Sequence, residues 1–249
     1  LYGPAAGALR GVVTWPALEA AVAHALAHRS PWDALLITGD LVQDDAAGYD
    51  RVRVLFGDSD VPVYCIPGNH DEPSAMRGAL AEPPFQVGGT ALLGGWQLVM
   101  LDSYLQGMAS GRLADDELAR LDAALASHPD RHALVCLHHH PVRMGSRWLD
   151  RVGLENADAL FAILDRHSHV RTLLWGHVHQ AYDGRRHGVR LLATPSTCAQ
   201  FAPGSDGFAI DQRPPAYRWL DLHDDGRIDT GVEWVDEADM RREPRASAG

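Results

Sequence analysis

The chain contains no lysine: every one of its 22 Lys and Arg positions is arginine. That excludes a Walker-type phosphate loop, which needs a lysine after its last glycine, and any mechanism built on a lysine Schiff base. No G-x-S-x-G elbow is present, so a serine hydrolase of that type lacks its nucleophile turn. Cysteine is scarce. Cys65, Cys136 and Cys198 are far apart and lie in apolar stretches, so they read as reduced, mostly buried thiols, and the expected location is cytoplasmic. No apolar run approaches the ~18 residues of a membrane span. The start, LYGPAAGALRGVVTW, has no basic flank ahead of an apolar segment. No membrane partner is therefore expected. Nor is a nucleic acid polymer, because the net charge is −11.

What is present is enough for one large domain. With 249 residues and 46% hydrophobic content the chain can bury a sizeable core. Short apolar runs at residues 34–38, 61–66, 96–101, 133–137 and 172–175 predict strands. Between them, residues 15–28, 46–56, 114–126 and 156–167 carry helical periodicity. The alternation predicts an α/β domain with a parallel or mixed sheet. After Trp175 the spacing changes: residues 180–182, 189–193, 217–222 and 227–235 predict short strands of a second, antiparallel sheet. Turns are expected at Asp183-Gly184 and Asp225-Gly226. The catalytic domain is expected to span residues 1–235, and the charged stretch 236–249 to be disordered.

The 14 histidines are unevenly placed. In LLWGHVHQ, His177 and His179 follow a glycine at the end of an apolar run; continued as a strand, both rings face one spot. Other strand ends deliver similar groups: Asp40 after Gly39, then Asn69, His70 and Asp71 after Gly68, then His138, His139 and His140. In an open α/β sheet the loops beyond the strands' carboxyl ends share one crevice. A mixed oxygen and nitrogen set suits Mn, Fe or Zn better than Ca. A carboxylate can bridge two ions, so the set points to a two-metal hydrolytic centre with ions ~3.5–4 Å apart. Gly39, Gly68 and Gly176 would let the backbone turn sharply there.

These motifs, GD, GNHD, HHHP and GHVH in this order, resemble the calcineurin-like metallophosphoesterases. ALRGVVTW, HHHP, WLD and LLATPSTCAQF further resemble the bacterial class III 3′,5′-cyclic AMP phosphodiesterases. The likeness runs from Leu1 to about Val235. It implies a four-layer α/β/β/α sandwich, two divalent ions, and hydrolysis of cyclic AMP, a small-molecule cyclic nucleotide, to 5′-AMP by a monomer or homodimer. It implies that Asp40 bridges the ions, that Asn69, His138 and His177 complete the second site, and that His179 serves the first. His70 then contacts the scissile phosphate and assists the leaving oxygen, with Asp71 orienting it. Asn69, His70, His179, Thr194, Ser196 and Thr197 would line the substrate pocket. Trp148 is either a core aromatic or a ring packed against a purine.

The resemblance departs at the front. Family members carry a D-x-H motif on a first strand, and this chain begins just after it. The expectation is a longer protein from which that strand is missing here; otherwise the first site is damaged. Other substrates stay open, namely 2′,3′-cyclic nucleotides or glycerophosphodiesters, as does a non-catalytic scaffold. His139 and His140 are expected behind the ligands or at the surface, and Asp44 and Asp45 as a cap for the next helix.

Overall fold

A computed structural model of the chain describes residues 7–236. From 237 onward the stretch expected to be disordered lies outside the described residues. The order begins β1 (Ala8–Leu9), β2 (Val12–Val13), α1 (Thr14–Arg29), β3 (Leu35–Ile37), α2 (Gly48–Phe56), β4 (Val63–Cys65) and α3 (Pro73–Ala79). It continues β5 (Phe85–Val87), β6 (Gly89–Leu93), β7 (Trp96–Met100), α4 (Asp115–Ser127), β8 (His132–Leu137), α5 (Ala157–Leu164) and β9 (Val170–Trp175). The last third adds β10 (Tyr182–Arg186), β11 (Val189–Ala193), β12 (Gln200–Phe201), β13 (Ile210–Asp211), β14 (Ala216–Leu222) and β15 (Ile228–Trp234).

Two sheets carry the domain. One has three strands, β3-β4-β5, all parallel. The other has six, β10-β11-β9-β8-β7-β6, parallel from β7 to β11 with antiparallel edges. Side chains alternate along each strand, so each sheet has two apolar faces to bury. Leu36, Tyr64 and Ile66 on one sheet pack against Leu98, Leu134, Cys136 and Leu174 on the other. The opposite face of the larger sheet, with Val135, Leu137, Leu173 and Trp175, takes Leu121 and Leu125 of α4 and Leu160 and Leu164 of α5. Beneath the smaller sheet, Val63 and Cys65 meet Tyr49 and Val52 of α2 and Met76 of α3. Burying each such side chain stabilises the fold by about 1.5–3 kcal/mol. The result is the α/β/β/α sandwich.

The last third departs from expectation. β10 and β11 form a hairpin, but β11 pairs parallel with β9 and so extends the larger sheet. β12 with β13 and β14 with β15 make two separate antiparallel ribbons. Asp183-Gly184 lies inside β10, and the hairpin turns instead at His187-Gly188, where φ is 48 and 89. Positive φ at both central residues matches the right-handed twist of a two-residue hairpin. β5, β6 and α3 were not foreseen. The first two are short and flanked by glycines; α3 is held at its start by Glu72, whose carboxylate accepts from the Ser74 N–H at 3.1 Å. Among the described residues no helix is long and apolar enough to cross a membrane.

Candidate metal centre

The two sheets meet at the carboxyl ends of β3 and β8. His138 Nδ1–H donates to the Thr38 carbonyl at 2.7 Å, joining one sheet to the other. Space there is tight. A Cβ on Gly39 would lie 2.3 Å from His138 Nδ1, and Gly39 itself has φ +97. A Cβ on Gly68 would fall 2.2 Å from Asp40 Oδ1. Glycine at these two positions is what lets the ligand loops close on each other.

Asp40, His177 and His179 have φ of 53, 66 and 49, a left-handed backbone that non-glycine residues seldom adopt. This corrects the strand-period reading of the histidine pair: β9 ends at Trp175, and the two rings are aimed by left-handed turns. Backbone of this kind costs about 1–3 kcal/mol per residue and persists where surrounding structure imposes it.

Four potential ligand atoms converge. His138 Nε2 lies 3.3 Å from Asp40 Oδ2, 3.3 Å from Asn69 Oδ1 and 3.2 Å from His177 Nδ1. Ligand bonds of about 2.1 Å, usual for divalent ions with N and O donors, separate neighbouring ligand atoms by roughly 3 Å. The spacing therefore fits an ion. The burial pattern agrees: His177 Nε2 and His139 Nε2 are buried polar atoms without hydrogen bonds. Ligand atoms of His138, His139 and His177 all lie within 4.8 Å of one another. His179 donates Nδ1–H to the Ala199 carbonyl at 2.7 Å, which leaves its Nε2 lone pair for an ion.

Electrostatics sorts these rings. Burial pushes His179 down to about 4 and His139 to about 2, and it holds His177 well below its usual value, aided by the neighbouring His138. Neutral imidazoles are the ligating form. His138 is the exception. Burial lowers it, but the Asp40 charge and hydrogen bond and the Thr38 carbonyl raise it further. Asp40 in turn is raised by burial and lowered more strongly by His138, so its carboxyl sits far below the ordinary range. An ion taken up here would compete with the proton that His138 shares with Asp40.

His139 and His140 are both buried, at 0% and 3% exposure, so neither is a surface residue. Ser103 Oγ lies 2.8 Å from His139 Nδ1 and sets that ring. From sequence, Asp102-Ser103 reads as a turn ending a strand without a metal-like partner; following β7, Ser103 instead contacts a histidine of the site. His140 stacks on His177 at 5.6 Å and 18°. In the Thr194–Thr197 loop, Thr194 Oγ1 donates to the Pro195 carbonyl at 3.2 Å and Ser196 Oγ accepts from Cys198 N–H at 3.0 Å. Gln200, missed in the sequence, holds this loop. Fully buried, it accepts from Ser196 N–H and donates to the Ser196, Cys198 and Pro214 carbonyls. Trp148 donates Nε1–H to Ser205 Oγ at 3.2 Å and is half-buried.

Asp71 does not orient His70. Its carboxylate accepts from the Leu41, Val42 and Gly68 N–H groups at 3.2, 3.3 and 2.8 Å and from the Tyr49 hydroxyl at 3.0 Å. It ties the Asp40 loop to the Asn69 loop. The carboxylate beside His70 belongs to Asp44, expected as a helix cap. Both Asp44 oxygens lie 3.2 Å from His70 Nδ1, with Gln43 Nε2 at 2.7 Å. Asp45 accepts from the Ala47 N–H at 3.1 Å in the turn before α2. Asp44 reaches His70 because its own backbone is left-handed, φ 54, a conformation the sequence does not display.

The two carboxylates should therefore separate by experiment. Asp44→Asn is expected to lower kcat by about 10- to 100-fold, the usual effect of removing an outer partner of a site histidine, with metal content retained. Asp71→Ala strands several buried N–H groups, each costing about 1–3 kcal/mol, and should lower Tm and metal content together. Thermal melts and metal analysis on both variants would reverse the assignment if the losses were exchanged.

Comparison with known proteins matches residues 11–181 to the calcineurin-like phosphoesterase family. The chain is 43% identical over 238 residues to the 3′,5′-cyclic adenosine monophosphate phosphodiesterase CpdA of Pseudomonas aeruginosa, covering 95% of this chain and 87% of that protein. It is 40% identical to CpdA of Escherichia coli K12, covering 95% and 86%, and 35% identical to the 3′,5′-cyclic-nucleotide phosphodiesterase alr5338 of a Nostoc species, covering 91% and 86%. Among solved structures, a dimetal phosphatase from Danio rerio shares the fold with a TM-score of 0.59 at 14% identity, covering 91% and 90% of the two chains.

Proposed function

The chain belongs to the calcineurin-like phosphoesterase family, whose members use a dinuclear metal site, and from that premise we propose that it hydrolyses 3′,5′-cyclic AMP to 5′-AMP. The observation that carries the metal chemistry is the approach of Asp40, Asn69 and His177 to His138 Nε2 within 3.3 Å. The substrate rests on likeness over 95% of the chain to phosphodiesterases named for cyclic AMP.

In this reading Asp40, Asn69, His138 and His177 would hold one ion, and Asp40 and His179 would serve the other. Iron or manganese suits such a mixed donor set, with zinc a third fit. Bound divalent ions supply charge neutralisation at the phosphoryl oxygens and a lowered pKa for water. The protein's own groups do the rest. His70 Nδ1 lies 3.2 Å from both oxygens of the Asp44 carboxylate, a contact that fixes the ring. Its Nε2 proton is then free for the departing O3′ as the P–O3′ bond breaks and a water oxygen joins phosphorus. The His70 backbone N–H donates to Asp40 Oδ1 at 3.0 Å, so the acid and the shared carboxylate are positioned by one loop. Catalysis of this kind is positioning and electrostatics, with no covalent enzyme intermediate. The three unpaired thiols support a cytoplasmic setting.

The test is turnover by the metal-reconstituted chain of cyclic AMP beside cyclic GMP, 2′,3′-cyclic AMP and a chromogenic diester. Highest kcat/KM for cyclic AMP is expected. Preference for the 2′,3′ ring or for the simple diester would move the assignment to those substrates.

A further inference from the structure

One cluster beside the metal centre holds no metal and moves no proton. Phe201 lies flat on His179, with ring centroids 4.1 Å apart and 2° between planes. Trp148 and Phe208 each meet Phe201 edge-on, at 5.1 and 5.4 Å, and each other at 5.2 Å. Three rings thus form a closed triangle with one corner against a metal-site histidine. The β12–β13 hairpin carries Phe201 and Phe208, and the Trp148 hydrogen bond to Ser205 anchors the third ring to the same hairpin.

The triangle is open on one side. Phe208 is 46% exposed, while Phe201 and Trp148 are half-buried. Over the Phe208 ring, 4.5 Å from its centroid, stands the guanidinium of Arg10. Arg10 sits at the tip of the β1–β2 hairpin, where Arg10 and Gly11 have φ of 55 and 86. Two hairpins from opposite ends of the chain therefore meet at one exposed π face.

We propose that Phe208 is the platform on which the purine of the cyclic nucleotide stacks, the base taking the place of the Arg10 guanidinium on the ring and the guanidinium moving outward to cover the base's other face. This rests on the cyclic-nucleotide reading above and extends it to base selection. A nucleobase presents a flat π face, and aromatic rings and guanidinium planes are the two groups that stack on it. The position fits as well. A phosphate held at the metal centre sits beside His179, and Phe208 is two ring contacts away along the crevice rim. A ring that only pinned the hairpin would not need an exposed face with a cation held above it by a left-handed residue.

The test is steady-state kinetics with the metal-loaded protein on cyclic AMP and on the same 3′,5′-cyclic phosphate of 1-deoxyribose, which lacks the base. Phe208→Leu keeps apolar bulk and removes the π face. It should raise KM for cyclic AMP roughly 10- to 100-fold, the range of base–aromatic stacking, with a much smaller change in kcat. Phe208→Trp should keep KM near that of the parent. On the base-free substrate the Phe208→Leu penalty should vanish, because ring and base report one shared contact. Equal losses on both substrates would show a scaffold role and overturn the proposal. So would an unchanged KM for cyclic AMP. If Phe208→Leu fails to fold, Arg10→Ala gives the same readout from the other side of the base: a KM rise confined to cyclic AMP supports the proposal, and none overturns it. A parent enzyme inert on cyclic AMP but active on other diesters would instead sink the substrate reading, and this proposal with it.

Discussion

Replacing Asp40 with alanine is expected to abolish phosphodiesterase activity while leaving the fold in place. Its two oxygens face different partners, Oδ2 toward His138 Nε2 at 3.3 Å and Oδ1 accepting the His70 N–H at 3.0 Å. Removing the side chain takes away a ligand, the negative charge that offsets divalent ions, and the acceptor that seats the His70 loop. Loss of an outer partner of a metal ligand typically costs 10- to 100-fold in affinity, so loss of this carboxylate should exceed about 100-fold. None of the three core clusters includes Asp40, so the far-UV circular dichroism should match the parent. The loaded protein should melt lower, because stabilisation by bound metal falls with its affinity. Near-normal turnover with full metal content would sink the assignment.

His70→Ala is expected to produce a different failure. Metal content should stay near that of the parent, since the Asp40 contact uses the His70 backbone and survives the substitution. kcat should fall by about 10²–10⁴, the usual contribution of a positioned general acid. With a nitrophenyl leaving group, which departs without protonation, the deficit should shrink. Metal analysis decides the matter: an ion lost with the side chain would make His70 a ligand, and an undiminished deficit on the nitrophenyl ester would remove its role as acid.

Much of this is legible in the sequence. β3, β4 and β7 fall within the predicted apolar runs, and β8 and β9 overlap theirs but start earlier, at His132 and Val170, because strands buried on both faces read as near-continuous hydrophobic stretches. That pattern also located the crevice. What failed was of one kind. Asp183-Gly184 has the composition of a turn yet lies in β10, paired across from Leu192 and Leu191. The sheet's own register overrode local preference there. The roles of Asp44 and Asp71 were exchanged for a similar reason. Sequence places both carboxylates near His70, but backbone dihedrals decide which one turns toward the ring, and φ of 54 at Asp44 leaves no trace in residue type. Gln200 went unnoticed because its partners are backbone groups of an irregular loop, and Ser103 reads as a plain turn residue because its partner, His139, comes from another strand end.

The hydrogen bond from His138 to the Thr38 carbonyl marks a seam. β3 and β8 belong to sheets that share no backbone ladder, yet the ligands Asp40 and Asn69 come from one side and His138 and His177 from the other. An ion held by all four acts as a removable cross-link between layers, fastening segments far apart in sequence as a disulfide would, and loops of that length gain most from such a tie. Each sheet keeps its own ladder whether or not an ion is bound, and the apolar layer between them and the His138–Thr38 bond keep them in contact. An ion would add a tie at the crevice end of that layer, so metal binding should raise the melting temperature of the whole sandwich and not of one half alone.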